Sequence, residues 1–169
     1  MPPPLRAASR FGLSYREERD EDYAFVAELY ASTREEEVAR TGWPKEVRRA
    51  FLAQQHEAQH GHYRLARPDA EWLVIERGGE RIGRLYLDSS GPTLHVIDIS
   101  LAPASRGAGI GEAILRDVAV AAMEAGKPVS IHVEKFNPAK RLYLRLGFVD
   151  VEDKGIYDLM EWHPARADQ

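Results

Sequence analysis

Two rhythms of apolar and polar residues alternate along the chain. Leu13–Glu17 reads as a short strand. Asp20 then stands where a helix N-cap belongs, with Val26, Leu29, Tyr30 and Thr33 following at helical spacing. Gly42 and Pro44 break that pattern, and Pro44 suits the first turn of a second helix carrying Val47, Phe51, Gln54 and Gln55 up to Pro68. Beyond Pro68 the period shortens. Trp72–Glu76 and Arg81–Leu87 read as strands joined through Gly78-Gly79, a strong hairpin signal. Gly91-Pro92 turns the chain into Leu94–Leu101, apolar at most positions, as a strand covered on both faces should be.

The helical period returns with Ile110, Ala113, Ile114, Val118, Ala121 and Ala122, and Gly126 with Pro128 closes that helix. Val129, Ile131 and Val133 alternate with Ser130, His132 and Glu134, the pattern of a strand. Asn137-Pro138 opens a short helix with Leu142 and Leu146, ended by Gly147, and Val149–Val151 and Ile156–Trp162 read as a closing pair of strands. The order βααβββαβαββ predicts a mixed α/β domain.

At 169 residues, 44% hydrophobic and 30% charged, the chain is expected to form one soluble domain over 13–163, with a flexible lead-in at 1–12 and a tail at 164–169. It has no cysteine, which excludes disulfides, thiolate metal sites and cysteine nucleophiles and suits a cytoplasmic location. No segment has the apolar length of a signal peptide or membrane span. A net charge of −4 argues against nucleic-acid binding. The acidic run Glu35-Glu36-Glu37 reads as a solvated helix face, with attraction of a cationic substrate as the alternative.

Within the second helix, His56-Glu57-Ala58-Gln59-His60 matches H-E-x-x-H, the zinc-hydrolase pattern. A two-histidine site needs a third protein ligand. The metzincin extension requires Gly at 63 and His at 66, where this chain has Tyr63 and Ala66. The following glutamates fall in or around the hairpin, and the match arises by chance in about one chain in fifty of this composition. No metal is expected.

The stretch Arg106-Gly107-Ala108-Gly109-Ile110-Gly111 has a more specific meaning. It lies between a buried strand and an amphipathic helix, where glycines let backbone N–H groups converge and the helix N-terminus adds positive potential. The product is a pyrophosphate site, to which Arg106 adds a cation. A Walker loop would need G-K-[ST] and a dinucleotide fingerprint a third glycine, but Glu112 follows Gly111.

With NPAKRLYLRLGF about thirty residues on, the chain resembles the GNAT superfamily of acetyl-CoA-dependent N-acetyltransferases over roughly 94–148. The resemblance rests on LAPASRGAGIGEAIL and on the later Asn…Tyr…Gly-Phe segment, and it implies a central mixed, mostly antiparallel sheet flanked by helices. It implies that backbone groups of Ile99 and Leu101 pair with the pantetheine of acetyl-CoA, that Arg106, Gly107, Ala108, Gly109, Ile110 and Gly111 cradle the pyrophosphate, and that Asn137 touches the pantetheine. Tyr143 matches the family's proton donor to the departing thiolate, although Asn137 and Tyr143 stand one residue closer than in the family's usual pattern.

The base is expected to be His95 or Asp98, with Glu134 as an outsider. An odd separation puts His95 and Asp98 on opposite faces of a regular strand. Asp98 is a carboxylate in an apolar run and needs either a partner or a task. Gln55, Gln59, His62 and Tyr63 are expected to line the acceptor cleft. The implied activity is acetyl transfer to a primary amine, of a small molecule or a protein, by direct attack in a ternary complex, with homodimerisation possible through sheet edges. Two other classes stand beside it: a non-catalytic acyl-CoA sensor on the same fold, and the zinc hydrolase of His56, Glu57 and His60.

Overall fold

A computed structural model describes residues 2–164 of the chain. Its elements follow the expected order: β1 (Leu13–Glu17), α1 (Tyr23–Ala39), α2 (Lys45–Ala66), β2 (Glu71–Arg77), β3 (Glu80–Asp88), β4 (Leu94–Leu101), α3 (Ile110–Ala125), β5 (Val129–Glu134), α4 (Lys140–Arg145), β6 (Val149–Asp153) and β7 (Tyr157–Trp162). Gly78 and Gly79 turn the β2–β3 hairpin at φ +58° and +80°, angles that side chains with a Cβ rarely adopt. Pro44 stands at the N-cap of α2, one place before its expected position.

The strands form one seven-stranded sheet in the order β1-β2-β3-β4-β5-β7-β6. Every neighbouring pair is antiparallel except β4 and β5, which run parallel and match at only three positions: Leu94 with Val129, His95 with Ser130 and Val96 with Ile131. Beyond Val96 the two strands no longer pair, and the sheet opens between them. The opening coincides with a bulge. On the β3 side Leu87 faces Val96 while Tyr86 faces Asp98, so Ile97 is the extra residue and β4 bends there.

One face of the sheet carries the main core. Leu73, Ile75, Leu85, Leu87, Val96 and Ile131 pack against Ile114 and Val118 of α3 and against Tyr143 and Phe148. Helices α1 and α2 cover the other face. There Gln59 reaches Arg84 of β3, and the Arg64 guanidinium lies over Trp72 of β2, 4.4 Å from its ring centre. Gly83 of β3 lies close against β4: a Cβ added to it would stand 2.3 Å from the Ser100 carbonyl oxygen.

The N-terminal residues differ from the expectation of a flexible lead-in. Ala7–Phe11 form a 3₁₀ turn whose Ala8 is fully buried. Asp117, a buried carboxylate of α3, accepts the backbone N–H groups of Arg6, Ala7 and Ala8 at 3.1, 2.7 and 2.9 Å. A charged acceptor satisfying consecutive amides anchors a segment too short to hold itself. Of the expected tail, 165–169 lie outside the described residues. Among the described residues, no helix is long and apolar enough to cross a membrane.

Candidate active site

The glycine loop follows β4 through a 3₁₀ turn, Pro103–Ser105, and delivers the chain to the N-terminus of α3. Gly107 and Gly109 adopt φ +78° and +89°, and Gly109 is the N-cap of α3. The first helical turn leaves N–H groups without intrahelical acceptors, and Ala113 is the residue whose N–H reaches back to the Gly109 carbonyl, at 3.1 Å. Open space lies where a Cβ on Gly107 would project. The loop thus has the bare backbone and donor geometry that a pyrophosphate requires. Arg106 lies across the end of β4, donating from Nε to the Leu101 carbonyl at 2.8 Å and from Nη2 to Ser32 Oγ of α1 at 2.9 Å.

Asp98 and Ser100 stand on β4 beyond its last pairing with β5. Arg84, 2% exposed, donates from Nε to Asp98 Oδ2 at 2.6 Å, and its Nη2 also pairs with that carboxylate. Nη2 further donates to Gln59 Oε1 at 3.3 Å, and Ser100 Oγ donates to Asp98 Oδ1 at 2.9 Å. Burial, with the Asp98 charge second, pushes the Tyr63 phenol up to about 12. The Tyr143 phenol is pushed up to about 12 by the same two causes. The Asp98 charge is thus the second influence on both phenols, Tyr63 of α2 and Tyr143 of α4. Arg34 of α1 and Glu134 of β5 form a 2.7 Å ion pair nearby.

His95 lies elsewhere, in the stretch where β4 and β5 still pair. It is 7% exposed, with Nδ1 2.8 Å from Ser130 Oγ and its ring edge-on to His132 at 5.0 Å. Burial, then the Arg67 charge, lowers it to about 4. The expectation of opposite faces for His95 and Asp98 fails because of the Ile97 bulge. His95 faces Asp88 and Asp98 faces Tyr86, two residues of β3 on one side of the sheet. The bulge gives them one face, yet His95 lies where β5 pairs with β4 and Asp98 lies beyond that pairing.

The four acceptor-cleft candidates of α2 divide. Gln59 and the half-buried Tyr63 face the Asp98 group, Gln55 accepts from the Tyr30 hydroxyl at 3.3 Å, and His62 is exposed with its ring 6.4 Å from that of Tyr63. Asn137 is exposed, and its Oδ1 accepts the Ala139 N–H at 2.9 Å, a turn that starts α4. Ile99 and Leu101 lie on the part of β4 that β5 leaves unpaired.

The H-E-x-x-H histidines are packed as aromatic rings. His56 is fully buried, its centroid 5.3 Å from Tyr23, 5.7 Å from Tyr30 and 5.7 Å from His60, with neither ring nitrogen hydrogen-bonded. Glu57 is exposed. Among the described residues no three His, Asp or Glu side chains converge as metal ligands would.

Sequence reasoning passed over Arg84, Ser100, Ser32 and Arg34, the last of which holds the outsider base candidate Glu134 in an ion pair. Arg84 had a signal: it is the one charged residue in the otherwise apolar run IGRLYL, 82–87, and a buried charge needs a partner. The others are surface-type residues whose significance depends on which elements meet.

The sheet with its one parallel, diverging strand pair is a fold that solved structures of acetyltransferases share. The PaiA N-acetyltransferase of Thermoplasma acidophilum, in complex with coenzyme A, is 16% identical over 90% of this chain and 99% of that one, with a TM-score of 0.67. An acetyltransferase of Thermus thermophilus is 16% identical over 89% and 96%, with a TM-score of 0.64. Spermidine N-acetyltransferase of Vibrio cholerae, in complex with CoA and spermine, is 16% identical over 89% and 93%, with a TM-score of 0.58. No curated protein sequence matches the chain. The Acetyltransferase (GNAT) family model matches residues 23–148, and the chain belongs to that family.

Proposed function

We propose that the protein transfers an acetyl group from acetyl-CoA to a primary amine by direct attack in a ternary complex. One observation carries this reading: where β4 parts from β5, the glycine loop stands at the end of β4 and Asp98 lies on the stretch that β5 leaves unpaired. Acetyl-CoA supplies the activated acyl group. Amides of the glycine loop, including those of Gly109, Ile110 and Gly111, hold its pyrophosphate, and the free edge of β4 around Ile99 offers backbone groups to an extended arm.

Tyr143 is held protonated at every working pH, so its phenol enters as a donor to the departing thiolate. Of the two base candidates, the geometry favours Asp98, because it borders the opening on the side of Gln59 and Tyr63, whereas His95 is enclosed between paired strands. Arg84 and Ser100 hold that carboxylate fixed, so it orients the acceptor ammonium and passes the proton on to water.

The test is an acetyl-CoA thiol-release assay across amino acids, polyamines, aminoglycosides and lysine-bearing or free-N-terminus peptides. Turnover is expected with at least one amine. Y143F should lower kcat roughly a hundredfold while leaving the CoA dissociation constant within about twofold. Turnover unchanged in Y143F would remove the phenol from the mechanism, and a wild-type protein that binds no CoA would end the reading.

A further inference from the structure

Arg10 belongs to the N-terminal 3₁₀ turn and precedes the region that matches the family model, which begins at Tyr23. Its guanidinium lies over the Phe11 ring, 4.6 Å from the centroid. Its Nη2 comes within 3.5 Å of where a Cβ on Gly109 would stand, and Phe11 Cζ comes within 3.8 Å of the same point. The cation is therefore parked against the N-cap of α3, the residue at the centre of the glycine loop.

Its neighbours use their charges within the protein: Arg6 pairs with Glu124 and Arg16 with Asp22. Among the described residues Arg10 has no carboxylate partner. The turn that carries it is fastened by Asp117, which lies two turns further along α3 itself. The backbone of the turn is thus fastened to α3, and the exposed Arg10 side chain lies against the ring of Phe11.

We propose that Arg10 binds a phosphate of CoA together with the glycine loop, so that the N-terminal turn is part of the cosubstrate site. This rests on the acetyl-CoA reading above. A guanidinium offers paired donors to a phosphate. Asp117 is then a positioning residue: it holds the turn and touches no phosphate.

The test is calorimetric titration of wild type, R10A, R10K and D117N with CoA, dephospho-CoA and pantetheine. R10A should weaken CoA roughly tenfold, the scale of an exposed charge-assisted contact, and R10K should restore part of that. Pantetheine, which has no phosphate, should bind R10A and wild type alike, and the salt dependence of CoA binding should be shallower in R10A. D117N should reproduce much of the loss and add little in an R10A background. Equal losses for CoA and dephospho-CoA assign Arg10 to the pyrophosphate, and a loss confined to CoA assigns it to the 3′-phosphate. Wild-type binding of CoA with no change in R10A overturns the proposal. Wild type failing to bind CoA at all overturns the acetyl-CoA reading and the proposal with it.

Discussion

Removing Asp98 should destabilise the protein more than removing Arg84, and removing both should cost less than removing Asp98 alone. D98L leaves the Arg84 guanidinium, 2% exposed, without the carboxylate that accepts from its Nε at 2.6 Å and from its Nη2, so that Gln59 Oε1 at 3.3 Å and the Tyr86 ring at 4.8 Å remain. Stranding a buried charge in this way costs about 3–5 kcal/mol. R84M strands a carboxylate whose side chain is 21% exposed and which keeps the Ser100 hydroxyl at 2.9 Å, so water and one hydrogen bond limit the cost to about 1–2 kcal/mol. The double variant D98L/R84M removes both charges and should recover about 2 kcal/mol relative to D98L, the signature of direct coupling. Urea unfolding followed by circular dichroism, with m values unchanged, measures all four corners of the cycle. Costs that add to within about 0.5 kcal/mol would refute the reasoning, because the two side chains would then not share one electrostatic unit.

Two further outcomes follow from burial and close approach. His56 and His95 are both lowered to about 4, mainly by burial, with the Arg84 charge next for His56 and that of Arg67 next for His95. The unfolded chain therefore takes up protons below pH ~6.5 that the folded one refuses. Stability should be full above that value and fall by up to about 2 kcal/mol per histidine between pH 7 and 5. Urea melts across that range should show the fall, and H56F should flatten it; an unchanged slope in H56F would contradict the assignment. G83A places a Cβ 2.3 Å from the Ser100 carbonyl oxygen and 2.9 Å from Leu101 Cδ2, and should cost about 2–3 kcal/mol in calorimetric unfolding by forcing β3 from β4. A melting temperature equal to wild type would show that the two strands separate freely.

The element order is legible in the sequence because each element announces its own period and its own stops. The helical face of Ile110, Ile114 and Val118 ends at Gly126, and the β2–β3 hairpin turns on two glycines at positive φ. The glycine turn into α3 is equally legible, since a positive φ and a helix start are local backbone properties. The bulge at Ile97 is not. Nothing in Val96-Ile97-Asp98 marks which residue drops out of the β3 ladder, and that choice sets the face on which Asp98 points. The packed N-terminus is hidden for another reason: its anchor is a carboxylate 110 residues away from Ala7. The pair His56 and His60 shows the converse, since a metal-binding spacing in the sequence becomes ring packing against Tyr23 once α1 lies beside α2.

The three-position join of β4 to β5 also has a mechanical meaning. The sheet is two plates, β1–β4 and β5–β7, stitched at one end and open at the other, with α3 resting on both β4 and β5. On the proposed function, an extended ligand arm lying in the gap would replace the rungs that the strands leave out. The cosubstrate would then be a temporary eighth strand, and the empty enzyme a sheet built with one strand missing.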